Sequence, residues 1–462
     1  MKKPVYILIA ALLALALYAF SVQSPAHAQE PAPEDAQLVA LGKALFFDTD
    51  LSVNGTQSCA SCHAPEVGFT GPDSQINALG AVYPGALHIR FGNRKPPTSA
   101  YAGDSPPLTY DEEGQEWVGG MFWDGRATGW VLGDPLAEQA QGPFLNPLEQ
   151  ALPNARLLVI RVANSDYADL FRAVWGPDSL NPMDVDGAYE RIARSIAAYV
   201  RGAESSAYTS KFDLFWDNAQ AAGKDVTMIQ FGMGGGGGGM GGGGGSNPYR
   251  WQAYRGLGLT DAELMGLAAF NDPNRADCAS CHSLEPGPAG YPLFTDFRYD
   301  NVGLPRNPDN PFYAMPRQWN PDGEDWIDYG LGAYLQSAGY DPEVYEPQLG
   351  KFKVPSLRNV DLRPSDDFVK AYGHNGFFKS LEDIVHFYAW RGMLDNGCPG
   401  GGGGMGGGGM GGGGMNCEDM MNLFPEPEVP FNVAMLKHFN MMDQQNIVAF
   451  LRTLSDGYTS QE

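Results

Sequence analysis

Cysteine is scarce in this chain, with six residues in 462. That excludes a disulfide scaffold, which depends on dense cysteines in a short secreted chain. Basic residues are also few, 30 Lys and Arg against 54 Asp and Glu, for a formal charge of −24. A nucleic-acid partner needs a basic footprint on its protein, so that class is excluded. The acidic balance instead favours neutral or basic partners, and would steer a basic redox protein toward the surface. Long hydrophobic runs are missing beyond the N-terminus, so no later segment reaches the length of a bilayer span. Histidine is limited to seven residues. Glycine is abundant at 60, but 12 of these fall in 232–245 and 13 in 400–414. The rest is an ordinary globular share. A hydrophobic content of 43% and an aromatic content of 12% can fill a sizeable core, and the length suits two or three domains.

The N-terminus reads as an export signal over residues 1–28. Lys2 and Lys3 precede an apolar run from Val5 to Phe20, and Ala26-His27-Ala28 offers a small-x-small cleavage site. The expected product is a mature periplasmic protein starting near Gln29; an uncleaved membrane anchor is the alternative. Residues 29–37 read as a frayed lead-in, 38–47 as a helix, and 92–150 as long ordered loops rich in Gly, Pro and aromatics. Residues 187–215 contain an amphipathic helix with Ile192, Ile196 and Val200 on one face, and 431–454 end the chain with helical periodicity. The Gly/Met tracts at 232–245 and 399–415 cannot repay the entropy of ordering and read as flexible inserts. Their thioethers are Cu(I) ligands by type, a less favoured reading.

A weak internal repeat carries the chemistry. Gly42-Lys43-Ala44-Leu45-Phe46 precedes Cys59-Ala60-Ser61-Cys62-His63, and Gly266-Leu267-Ala268-Ala269-Phe270 precedes Cys278-Ala279-Ser280-Cys281-His282. In Cys-x-x-Cys-His, two thiols attach to a haem edge and the next imidazole turns beneath the iron. A redox dithiol or half a zinc site is the plainer alternative. Two copies, each followed by His, in an exported chain favour two covalent c-type haems on Cys59, Cys62, Cys278 and Cys281, with His63 and His282 as iron ligands. Cys398 and Cys417 flank the second Gly/Met tract, as a loop-closing disulfide or as free thiols.

Six segments then carry a family resemblance: LGKALFFDTDLSVNGTQSCASCHAPEVGFTG (41–71), NRKPPTSAYA (93–102), MFWDGRA (121–127), AEQAQGPFLNPLEQ (137–150), FKVPSLRNVDL (352–362) and HNGFFKSLEDIVHFY (374–388). In this order the chain resembles the bacterial di-haem cytochrome c peroxidases, a family with a methylamine-utilisation branch that oxidises a partner protein. The resemblance implies a mainly α fold of two cytochrome c-like haem domains with long ordered loops. The N-terminal, peroxidatic domain would cover 29–205 and the C-terminal, electron-transfer domain 206–462.

It further implies that Glu149 is the acid–base carboxyl over the first haem, with Gln139 and Pro143 beside it, and that Trp123 relays electrons between the haems. An insert around TGWVLGDP separates Trp123 from Gln139. His88 falls near the place of a removable sixth ligand of the first haem. For the second haem, Tyr388 stands where many family peroxidases have Met and the methylamine-utilisation branch has Tyr, with Met393 nearby as the other choice. Leu381, Ile384, Val385 and Tyr388 share one helical stripe, preceded by the capping box of Ser380 and Asp383. His386 lies off that stripe, and His374 is expected near the haem edges. The family's inter-domain calcium is in doubt, because Lys95 follows Arg94 and Arg363 occupies the region of the expected Thr, although Asn93 could still ligate. The implied reaction is peroxide reduction with electrons from a small soluble donor such as a cytochrome c. Oxidation of a partner protein or organic substrate is the second reading, and a non-enzymatic electron carrier the third. A homodimer is compatible with the sequence.

Overall fold

A computed structural model describes residues 33–232, 247–396 and 423–459. The expected export signal, the methionines of both Gly/Met tracts, and Cys398 and Cys417 lie outside the described residues. Among the described residues, no helix is long and apolar enough to cross a membrane. Among these residues the fold is mainly helical, and strands occur as two short antiparallel ribbons.

One hydrophobic cluster forms from helices α1 (Pro33–Phe47), α2 (Pro135–Leu145), α3 (Ala155–Ala163) and α4 (Val185–Val200). α4 is the common partner of the other three. Ile192, Ile196 and Val200 are buried on its inner face, as their spacing predicts, together with Leu41, Leu45 and Phe46 of α1. α1 and α4 meet backbone to backbone: a Cβ on Gly42 would lie 1.9 Å from the Ser195 carbonyl oxygen and 2.9 Å from Tyr199 Cβ.

A second cluster forms from α5 (Lys211–Ala221), α6 (Asp261–Asn271), α7 (Leu381–Asn396) and α8 (Met441–Arg452). α6 crosses α8 in the same manner. A Cβ on Gly266 would lie 1.9 Å from the Asn446 carbonyl oxygen and 2.9 Å from Phe450 Cβ. The glycine that opens each member of the sequence repeat is thus the contact point of two helices, and α1 and α6 each lead into one Cys-Ala-Ser-Cys-His.

Helix starts follow local chemistry. Asp134 accepts from the Leu136 amide at 3.0 Å, with Pro135 in the first helical position of α2. Thr260 and Glu263 form a capping box on α6. Ser380 Oγ accepts from the Asp383 amide at 3.1 Å, opening α7 as its sequence predicts.

The amphipathic helix expected within 187–215 is α4, which ends at Val200, and α5 follows from Lys211, capped by Ser210. One expectation needs correction. The pattern over 431–454 is helical only in α8. Ahead of it the Ala434 amide donates to the Asn301 carbonyl at 2.7 Å, and Asn432 has φ 56°. Hydrogen bonds to a neighbouring segment replace helical ones there. The region 92–150 is largely loop, but it also holds the ribbon of β1 (Thr109–Asp111) with β2 (Glu116–Val118), and α2.

Candidate active site

Both Cys-Ala-Ser-Cys-His segments fold as a single tight turn. In the first, the Cys62 and His63 amides donate to the Cys59 carbonyl at 3.1 and 3.0 Å; in the second, the Cys281 and His282 amides donate to the Cys278 carbonyl at 3.3 and 2.8 Å. The turn brings both sulfurs and the imidazole of each motif into one place. His63 Nδ1 lies 3.1 Å from the Phe69 carbonyl oxygen, and His282 Nδ1 lies 2.9 Å from that of Phe294. A carbonyl only accepts, so Nδ1 carries the proton and Nε2 presents a lone pair, the arrangement of a metal-ligating imidazole. Burial lowers both imidazoles to about 4, so they are neutral at pH 7. Burial also pushes the Cys59, Cys62 and Cys278 thiols up to about 12, which does not suit a thiolate redox centre. Among the described residues, no group of three or more His, Cys, Asp or Glu is arranged to hold a metal ion. The donors fit haem: paired sulfurs at one edge and a neutral, oriented nitrogen.

Glu149 is half-buried just beyond α2, in a turn closed by its own amide donating to the Asn146 carbonyl at 3.0 Å. Asn146 Nδ2 donates to Glu149 Oε1 at 2.7 Å. Burial raises the carboxyl above its ordinary value, against the opposing pull of the Arg126 guanidinium and that amide. Its negative charge in turn helps to raise the Cys59 and Cys62 thiols, second only to burial, so the carboxyl lies near the first motif. Gln139 and Pro143 lie on α2, one before and one within its last turns, and both are half-buried. His88 is exposed, in a turn two residues past Ala86, whose amide donates to the Glu149 carbonyl at 2.8 Å.

The Phe-Trp-Asp-Gly-Arg segment makes a reversal closed by the Met121 amide on the Ala127 carbonyl at 2.8 Å. Gly125 (φ 76°) leaves room for Tyr299, whose Oη would lie 2.5 Å from a Cβ there. The reversal buries Trp123, and its Nε1 donates to the Lys95 carbonyl at 2.9 Å. The insert that follows is folded back on Glu138, whose carboxylate accepts from the Gly129, Val131 and Leu132 amides at 2.6, 2.7 and 2.8 Å. It closes as a self-contained loop and leaves Trp123 inside.

A cavity of about 250 Å³ adjoins the second motif. Cys278, Cys281, His282, Tyr388, Trp123 and His374 all line it. Tyr388 reaches it on the predicted stripe with Leu381, Ile384 and Val385, whereas Met393 is packed in the core, 3% exposed. Burial, then the neighbouring Cys281 and Cys278, raise the Tyr388 phenol above its ordinary value. His386 turns away to Gln444 Oε1 at 3.0 Å, and His438 Nδ1 lies 3.1 Å from the Ala389 carbonyl. His374 is 4% exposed, stacks on Phe352 with ring centroids 3.4 Å apart, and its Nε2 is buried without a hydrogen-bond partner among the described residues. Its ring also meets Trp123 edge-on at 6.5 Å.

Sequence reasoning missed the charges that brace this region. Arg94 is held by Asp124 at 2.5 Å and by both oxygens of Asp328 at 2.6 and 2.7 Å, and Arg126 donates to Asp124 at 3.0 and 2.9 Å. The pairing partners are 30 and 234 residues apart in sequence, with no local pattern to reveal them.

A mainly helical chain with two such turns, one near a half-buried carboxyl, fits the haem-dependent oxidoreductases. The profile of the di-haem cytochrome c peroxidase family matches residues 36–221. The methylamine utilization protein MauG of Paracoccus denitrificans is 33% identical over 380 residues, covering 82% of this chain and 80% of that protein. The cytochrome-c peroxidase IdrP1 of Denitromonas iodatirespirans is 28% identical over 360 residues, covering 77% of this chain and 73% of that protein. The crystal structure of the diheme peroxidase BthA of Burkholderia thailandensis superposes with a TM-score of 0.61 at 25% identity, over 93% of this chain and 87% of that one. The chain belongs to the di-haem cytochrome c peroxidase family and is an oxidoreductase. The non-enzymatic carrier reading is set aside on that ground.

Proposed function

We propose that this protein is an exported, periplasmic di-haem c-type peroxidase that reduces hydrogen peroxide to two waters. The observation that carries the proposal is Glu149, a carboxyl raised by burial, oriented by Asn146 and near Cys59 and Cys62. Residues 29–205 and 206–462 form the two domains. Cys59 and Cys62 hold one haem and Cys278 and Cys281 the other, through thioether bonds, with His63 and His282 as iron ligands. The haems, when bound, supply the redox chemistry, with two electrons from a small soluble redox protein taken up at the second site and delivered to peroxide at the first.

The chain's own residues handle the protons. Glu149 takes a proton from the inner peroxide oxygen and returns it to the outer one, so that the leaving group is water rather than hydroxide. Two further protons from solvent complete the balance, H2O2 with two protons and two electrons giving two H2O. Gln139 positions peroxide by its amide, and Pro143 narrows the pocket. Trp123 relays electrons between the two centres, a role supported by its burial and its hydrogen bond to Lys95. His88, exposed in its turn, would be the residue to ligate the first haem's iron opposite His63 and to leave it when peroxide binds.

Tyr388 favours a second reading, oxidation of a partner protein or organic substrate. A phenolate oxygen facing His282 would stabilise the higher oxidation states of iron, where Met would raise the potential. Peroxide-dependent oxidation of a reduced donor by the half-reduced protein, with haem spectra recorded in parallel, decides between them. Donor oxidation at two electrons per peroxide supports peroxide reduction. Two six-coordinate low-spin haems indifferent to peroxide would overturn both readings.

A further inference from the structure

The family resemblance implies a calcium ion between the two halves of the chain, but the residues at that junction do not fit one. Lys95 and Lys370 are 9% and 5% exposed, and both line the cavity that also holds Trp123 and His374. Lys370 Nζ donates to three main-chain carbonyls: Val67 at 2.9 Å from the first half, and Asn359 at 2.7 Å and Leu362 at 2.9 Å from the second. Burial and the neighbouring Lys95 pull the Lys370 pKa well below its ordinary 10.5, but three acceptors around one amine need three N–H groups, which the ammonium has and the neutral amine lacks. Beside it, Lys95 Nζ donates to Thr70 Oγ1 at 3.1 Å and to the Pro96 carbonyl at 3.0 Å. A divalent ion set against these two groups would be repelled, and it would find the carbonyl donors already taken. Arg363, the residue expected to oppose calcium, is instead turned to Asp361, so the second basic group at the junction is Lys370.

The local backbone is built around this amine. Gly68 has φ +74°, and a Cβ there would lie 2.8 Å from Asn359 Cβ and 3.5 Å from Lys370 Nζ. Only glycine takes up that conformation and allows that approach without strain. The same segment fixes two aromatic groups of the cavity: the Lys95 carbonyl accepts from Trp123 Nε1, and the Lys95 amide donates to the His374 carbonyl at 2.9 Å.

We infer that the Lys370 ammonium, with Lys95 beside it, is the resident cation of this junction, a covalently tethered substitute for a metal ion, so that the protein needs no calcium. The cage of carbonyls joins the two halves whichever substrate is oxidised or reduced.

The test uses purified holoprotein. Metal analysis is expected to find calcium well below one ion per chain, and EGTA or added calcium chloride should leave both the melting temperature and the spectrum of the half-reduced protein unchanged. Lys370→Met keeps most of the stem and removes the charge; its melting temperature should fall by roughly 5 °C or more, since three buried carbonyls lose their partner. Lys370→Ala opens space at the cage, and ammonium or methylammonium chloride should restore part of its lost stability where sodium chloride at equal ionic strength does not. One calcium per wild-type chain, with a melting temperature that drops in EGTA, would overturn the inference. A Lys370→Met protein as stable as wild type would overturn it too. If neither variant folds, the wild-type arms decide.

Discussion

The close crossing of α6 and α8 makes Gly266→Ala a sharp test of how the second motif is held. The added methyl would sit 1.9 Å from the Asn446 carbonyl oxygen. Carbon–oxygen contacts settle near about 3.4 Å, so the helices must part by roughly 1.5 Å. The obstacle is main chain, which has no alternative rotamer to adopt. Overpacking of this kind costs about 3 kcal/mol at the upper end of its usual range, and the opened gap forfeits dispersion contacts along both helices. Alanine returns about 1 kcal/mol through its better helix propensity. The net expectation is a loss of about 2 kcal/mol, read as a lower guanidinium midpoint by far-ultraviolet circular dichroism. Gly42→Ala, with the same 1.9 Å approach to Ser195, should lose a similar amount in the first cluster. A gain of about 1 kcal/mol in either variant, the propensity effect alone, would refute the claim that these glycines set the helix crossings.

Three further outcomes follow from the site. Asn146→Ala removes an amide that holds the Glu149 pKa down; since Glu149 must be ionised to accept a proton, the acid limb of peroxide turnover should move to higher pH than in wild type. Asp328→Asn leaves Arg94 with Asp124 as its remaining carboxylate and should cost about 3 kcal/mol of stability. Although burial works against it, Arg94 holds Asp328 below its ordinary 3.8, so in wild type this contribution is full above that value and is lost only as pH falls through the lower, folded-state pKa. Tyr388→Phe should change the spectrum of the second haem and leave the first unaltered; an unchanged second spectrum removes Tyr388 as ligand.

What could be read in advance divides by range. The two Cys-Ala-Ser-Cys-His segments, the α4 face of Ile192, Ile196 and Val200, and the α7 stripe ending at Tyr388 were legible, because a motif or a helical period is written within a few residues. The irregular stretch before Met441 was not, because a neighbouring segment supplies its hydrogen bonds, as the Asn301 carbonyl does for the Ala434 amide. Arg94 with Asp328, and Lys370 with the Val67 carbonyl, join residues hundreds of positions apart, and no spacing rule links such partners. Glu149 falls between these cases: on its own it reads as a surface carboxylate. Its burial and its Asn146 partner come from the turn that ends α2, which only the folded chain displays.

Peroxide turnover by Glu149→Gln, measured with haem content in the same samples, bears most directly on the proposed chemistry. Both haems should remain attached, while turnover falls by about 10²- to 10⁴-fold, the contribution of one positioned acid–base group. Turnover equal to wild type at equal haem content would contradict the assignment of Glu149, and with it the route by which the peroxide bond is broken.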